Sequence, residues 1–391
     1  MTWLVLAAGF LLAVPVATAA GGRDGSGRSE SGRARHADNL LHGQQRHRSR
    51  LDGISHKKDQ GESGDSQDGG KADNQDEGTS DGNRDEGKSD NDDDSDGRRE
   101  APPACTGTAS IALKACMNEV RDDFYTTLGD CLNRTNVDDG KACAMEAKQA
   151  AREAAQECRD QLAARKEVCA ALGEAPYDPV IDPDQFVDPL AIGDTVEPNP
   201  FFPMVPGTQT VFMNEVDGET TTDSVTRETV EIQGVTCIVL NDVVADSDTG
   251  EPLEITDDYY AQDLDGNVWY FGETSQTLED GFLVSLEGSW MAGRDGARAG
   301  IQMEANPMVG DIYRMEFLLG EAEDMAQVMN LAGDESVPAA SCDGGCLMTK
   351  EFSPLEPGIF ENKFYLPGVG VILEFAPDTG ARVELMAVTS F

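Results

Sequence analysis

Six cysteines in the middle of the chain, at 105, 116, 131, 143, 158 and 169, are spaced by 11, 15, 12, 15 and 11 residues. The series reads the same in both directions. Steps of 11 and 15 are close to whole turns of an α-helix at about 100° per residue, so the cysteines stay near one face. Two helices folded back antiparallel about residues 133–140, a stretch rich in Asn and Asp that ends in glycine, would bring the symmetric pairs level. Residues 105–172 suit this, being rich in Ala, Leu, Glu, Lys and Arg and free of proline. Of the many connectivities open to six cysteines, the symmetry predicts the nested one: Cys105–Cys169, Cys116–Cys158 and Cys131–Cys143. A two-helix hairpin buries little core, and each bridge would add about 2–4 kcal/mol. Thiolate metal sites call for close Cys-x-x-Cys pairs, which this stretch lacks.

Bridges imply an oxidising compartment. Residues 4–16 form a short apolar run, followed by the small-x-small sequence Ala17-Thr18-Ala19, the pattern of a signal peptide over residues 1–20. It departs from the usual form in having no Lys or Arg ahead of the apolar run. No later segment approaches the roughly 18 apolar residues of a membrane-spanning helix. The expected address is secreted or extracellular, or periplasmic in a Gram-negative host.

Residues 21–104 are rich in Gly, Ser, Asp, Asn and Arg and nearly empty of aromatic and β-branched residues. Such a segment cannot bury enough apolar surface to offset the entropy of ordering it, so a disordered polyampholyte tail is expected. Its first part, 21–58, carries nine Lys/Arg and four Asp/Glu; its second, 59–97, carries three and fifteen, ending in a run that includes Asp92, Asp93 and Asp94. The tail reads either as a solvated spacer or as a weak, multivalent binder of cations or mineral, carboxylate oxygens being hard ligands suited to Ca²⁺.

Residues 173–206 hold eight of the eighteen prolines, with Asp-Pro at 178–179, 182–183 and 188–189, and read as an extended, semi-rigid connector. From 207 to 391, short apolar or alternating runs are punctuated by turn signals such as 263–267 and 377–380. One helical stretch is expected at 321–331. The fold class is therefore α+β and multidomain: tail, disulfide-stapled antiparallel helical hairpin, connector, and a curved antiparallel β domain of about eleven strands, a partial barrel or sandwich. A propeller is disfavoured because no fixed period recurs.

Several runs together carry a resemblance: NPFFPMVPGT at 199–208, YAQDLDGNVWYFGE at 260–273, EGSWMAGRDG at 287–296, GEAEDM at 320–325 and YLPGVGVILE at 365–374. They resemble a family of uncharacterised exported bacterial proteins, whose members look like curved antiparallel sheets similar to the half-barrels of lipoprotein carriers. The resemblance implies a fold and an exported address, and brings no reaction with it.

The formal charge is −43, and residues 173–391 alone carry seven Lys/Arg against 42 Asp/Glu. This excludes a nucleic-acid binder that tracks phosphates with a basic face, and attachment to anionic lipid through basic clusters. All four histidines (His36, His42, His47, His56) precede residue 57, so His-based triads and His-ligated metal or haem sites are excluded from the folded part. The excess acid suits a saline surface, divalent cations, or docking to a basic extracellular protein. Asp263, Asp265 and Asn267, with Gly266 between, resemble the first half of a calcium loop, but this is equally hairpin-turn chemistry. Asp246, Asp248 and Gly250 make a weaker candidate. Trp269, Tyr270, Phe271 and Trp290 line a ligand cavity or fill core. Glu321, Glu323 and Asp324 offer carboxylates for acid/base work, a cluster to be expected by chance in so acidic a chain. Cys342 and Cys346 can close a small clasp, leaving Cys237 free, and Asn133 heads a glycosylation sequon at the hairpin tip. The chain reads as a secreted, non-enzymatic acidic protein that binds divalent cations, mineral or matrix partners, with Ca²⁺ as the candidate ion. The alternative is an exported carrier of an apolar small molecule or lipid within a curved sheet.

Overall fold

The computed structural model describes residues 103–391 and a short antiparallel pair near the start, β1 (Val5–Leu6) with β2 (Phe10–Leu11). The rest of the expected signal peptide and the charged tail, with Asp92, Asp93 and Asp94, lie outside the described residues.

Helices α1 (Ala104–Leu132) and α2 (Val137–Leu172) form the hairpin. The Asn136 side chain accepts a hydrogen bond from the Asp138 N–H and caps α2, and Asp138 and Asp139 place negative charge at the positive end of its dipole. Between the helices lie mostly alanine and cystine: Ala109, Ala112, Ala147, Cys131, Cys143, Cys158 and Cys169 are buried. The three bridges are the nested set, with Cα separations of 5.6, 5.8 and 5.5 Å from base to tip. At the base, the Ala104 N–H donates to the Glu174 carbonyl, and Thr106 donates through its N–H and hydroxyl to the Glu174 carboxylate.

The β region holds an antiparallel sheet of fifteen strands, more than the eleven runs expected, and a separate antiparallel pair, β14 (Ser336–Val337) with β15 (Ala340–Ser341). Its first half runs β3 (Thr208–Asn214), β4 (Glu219–Ile232), β5 (Val235–Asp246), β6 (Pro252–Gln262), β7 (Val268–Glu279), β10 (Arg298–Met303) and β12 (Glu316–Phe317), with β8 (Phe282–Ser285) and β9 (Trp290–Met291) also on β7. The other half runs from β3 through β19 (Ala381–Ser390), β18 (Gly370–Ala376), β17 (Glu361–Leu366), β16 (Cys346–Phe352) and β13 (Met325–Gly333) to β11 (Ile312–Arg314). The two end strands, β11 and β12, are separated in sequence by Met315 alone, so the sheet curls until its edges meet and is nearly barrel-shaped. Gly300 on β10 sits at this seam, where a Cβ would fall onto the Met315 carbonyl. No side chain fits there.

Two expectations are corrected. The 321–331 stretch is not helical: it enters β13, which pairs with β11 on one side and β16 on the other, so sheet pairing overrides its helix-favouring composition. The 173–206 segment is not a free-standing connector. Its Asp-Pro pairs start two 3₁₀ turns, Pro183–Gln185 and Pro189–Ala191, each capped by the preceding Asp. Ile192 and Met204 then enter the main hydrophobic cluster. Asn199, 1 % exposed, is held by the chain itself: its N–H donates to the Gln262 side chain, its amide to the Gly266 carbonyl, and its side-chain oxygen accepts from the Phe201 and Phe202 N–H groups. The segment covers the sheet.

Candidate functional site

A cavity of about 350 Å³ lies where the hairpin base meets the sheet seam. Its walls are apolar: Ala109 and Leu172 from the helices, Pro176 and Tyr177 from the segment after α2, and Ile301, Ile312 and Leu319 from the sheet region. Three charged side chains line it as well: Arg165, Arg314 and Glu323.

Arg165, on α2, meets Glu323 in a bidentate pair, with Nη2 donating to Oε1 at 2.7 Å and Nε to Oε2 at 2.9 Å. The Gly320 N–H also donates to Glu323 Oε1 at 2.8 Å. Both side chains are buried, so this ion pair pins the hairpin to the sheet in a poorly solvated place. Arg314, on β11, lies with its guanidinium carbon 4.7 Å from the Phe317 ring centre and 5.4 Å from that of Tyr177. Among the described residues no carboxylate makes an ion pair with it. Burial lowers its pKa, against the opposing pull of Glu323. Burial also pushes the Tyr177 hydroxyl up to about 12, with Arg314 pulling the other way, and that hydroxyl donates to the Ala299 carbonyl.

The interior of the sheet is acidic. Along β6 the inward face reads Glu254, Thr256, Asp258, Tyr260, all buried. Asp258 faces Glu273 on β7, and Asp223 on β4 faces Asp242 on β5. The Tyr270 hydroxyl lies 2.5 Å from Asp258 Oδ1 and 2.8 Å from Glu273 Oε2. A single phenolic proton cannot serve two carboxylates, so the arrangement suits one protonated carboxyl. Burial pushes Asp258 up to about 7, against the hydrogen bond from Tyr270 and with the charge of Asp223 adding to it, and pushes Glu273 well above the usual carboxylate range, with the charge of Asp258 adding to it. On the facing wall, Lys363 lies 3.1 Å from Glu374 and 3.4 Å from Glu351, which also accepts from the Tyr365 hydroxyl at 2.6 Å. Burial opposes the charge on Lys363, but Glu374 and Glu351 outweigh it and raise its pKa. Asp223, Asp242 and Glu374 are half-buried, and burial raises all three carboxyls above their usual range.

The other residues singled out from the sequence fall elsewhere. Asp263 is a turn residue: Oδ1 accepts from the N–H groups of Asp265 and Asn267, and Oδ2 from the Asn267 amide and Trp269 Nε1. The Asn267 oxygen accepts from the Ala305 N–H, and Asp265 is exposed. The expected calcium loop is thus built as a hydrogen-bonded hairpin turn, its oxygens engaged by the chain itself. Asp246 behaves alike, accepting from Thr249 and Asp248, bonds that hold its carboxyl below the usual range. Among the described residues no three His, Cys, Asp or Glu side chains gather into a metal site. Tyr270, Phe271 and Trp290 are core, while Trp269 is half-buried and lines the seam cavity. Glu321 is exposed, Glu323 is tied to Arg165 and Asp324 is buried, where burial pushes it up to about 7, so the three share no centre. Cys342 is bridged to Cys346, and Cys237 is free and buried, its thiol pushed up by burial. Asn133 caps the end of α1, exposed.

Arg165, Arg314 and Tyr177 were not singled out from the sequence. The available signal was scarcity: Arg314 is one of only seven cations in 173–391. No helix among the described residues is long and apolar enough to cross a membrane. The chain matches no known protein family, no curated protein and no solved structure.

Proposed function

We propose that this is an exported, non-enzymatic binding protein that holds an apolar small molecule or lipid in the cavity between hairpin and sheet. The cavity carries the reading: about 350 Å³ falls within the usual range for small-ligand sites, and its walls are apolar with a few convergent polar groups. The four disulfides and the signal-like start support export. The site differs from the expected one, since the ligand would sit at the seam and not on the concave face. Titrating the full chain with a neutral solvatochromic dye tests this. Saturable binding is expected, weakened at least about tenfold by Leu319→Trp, which fills the rim from a position already 36 % exposed. Binding unchanged by that substitution, or no binding by the native protein, would remove the reading.

The divalent-cation reading keeps one supporting observation, the carboxylates Asp223 and Asp242 opposite each other on β4 and β5 in a strongly acidic chain. On this reading, millimolar Ca²⁺ raises the melting temperature of the full chain and gives heat in calorimetry. Silence in both measurements discards it.

A further inference from the structure

We propose that the occupant of the seam cavity is an amphiphile with an anionic head, received by Arg314 with help from Arg165. This rests on the cavity being a binding site. The chain is so acidic that a counter-charge for any buried cation is close at hand, and Lys363 has gathered two. Arg314 has gathered none, although it is only 8 % exposed. The nearest candidate, Glu323, is committed to Arg165 and the Gly320 N–H. A buried guanidinium without a counter-charge is strongly disfavoured.

Two donors at the cavity also have no acceptor: Arg165 Nη1 and Arg314 Nε. Arg165 is 5 % exposed, so neither residue satisfies these groups by reaching bulk solvent. The Tyr177 and Phe317 rings lie together on one side of the Arg314 guanidinium, their centres 5.7 Å apart, and the unpartnered Nε marks its N–H edge as the place where an acceptor is missing. A planar fork approached edge-on matches a carboxylate or a phosphate, and the apolar walls take the hydrocarbon behind it. The global field opposes anions, so an anion preference here would have to be local.

The full chain, titrated separately with decanoate, decyl phosphate and decanol, provides the test, with Trp269 in the cavity wall as fluorescent reporter. At least one anion is expected to bind about tenfold or more tighter than decanol, a difference of about 1.4 kcal/mol. The tighter of the two anions identifies the head as carboxylate or phosphate. In Arg314→Met, decanol binding should persist while the preference for the anion disappears. Equal binding of all three ligands by the native protein overturns the head-group assignment and leaves the apolar site standing. Binding of none overturns both. A preference that survives in folded Arg314→Met overturns the role of Arg314. The native comparison needs no variant, so a misfolded Arg314→Met would not spare the proposal.

Discussion

Glu323→Gln is expected to destabilise the fold by about 3–5 kcal/mol in denaturant unfolding, because it leaves Arg165 buried without its ion-pair partner. Glutamine keeps the size and one acceptor, so packing is barely disturbed and the loss is electrostatic. The companion experiment separates the pair from its parts. Replacing both partners, Arg165→Met with Glu323→Leu, removes the buried charges together and should cost far less than the single change, since buried ion pairs are often neutral against apolar residues of similar size. A single change costing under about 1 kcal/mol would mean that the hairpin is not pinned to the sheet by this pair.

The second large effect is on pH. In the sheet interior, burial pushes Asp258 and Asp324 up to about 7, and lifts Asp223, Asp242, Glu273, Glu316 and Glu361 well above the carboxylate range. In the unfolded chain these groups titrate near 4. Between those values the folded protein holds protons that the unfolded chain has released, so stability falls as pH rises. Each group contributes a slope of about 1.4 kcal/mol per pH unit over that window. Two pH units of one such group alone amount to about 3 kcal/mol, so the melting temperature should drop by at least about 10 °C between pH 5 and pH 8. Asp258→Asn, which mimics the neutral acid beside Tyr270, should flatten the dependence. A melting temperature that rises from pH 5 to pH 8 would show that the interior carboxylates are ionised and otherwise compensated.

The cysteine palindrome was legible because two rigid rods convert spacing into height by simple arithmetic, and all three bridges follow from it. Strand content and closure into a curved sheet were legible from alternation and turn chemistry. The role of residues 173–206 was not. Proline and aspartate look the same in a bare spacer as in capped 3₁₀ turns, and only the apolar Ile192 and Met204 hinted at cover. The facing of the strands misleads for a physical reason. On β6 the buried face is Glu254, Thr256 and Asp258, while Leu253 and Ile255 are the less buried side, the reverse of the usual inference from alternation. The seam cavity was invisible for another: Arg165 and Glu323 are 158 residues apart, and nothing local marks either as the partner of the other.

Strand β19 hydrogen-bonds to β3, with Ser390 opposite Thr208, so the earliest and latest strands of the large sheet are neighbours. Nearly the whole β region must therefore be present before its two halves can be zipped together, an assembly with contacts remote in sequence and correspondingly slow. Until then, β3 and β18 each offer a bare strand edge to other copies. The helical hairpin has no such dependence, its bridges joining residues within one compact stretch. Oxidation of the hairpin can thus run ahead of the sheet, giving newly made chains a finished, covalently fixed platform while the remainder is still awaiting its last strand.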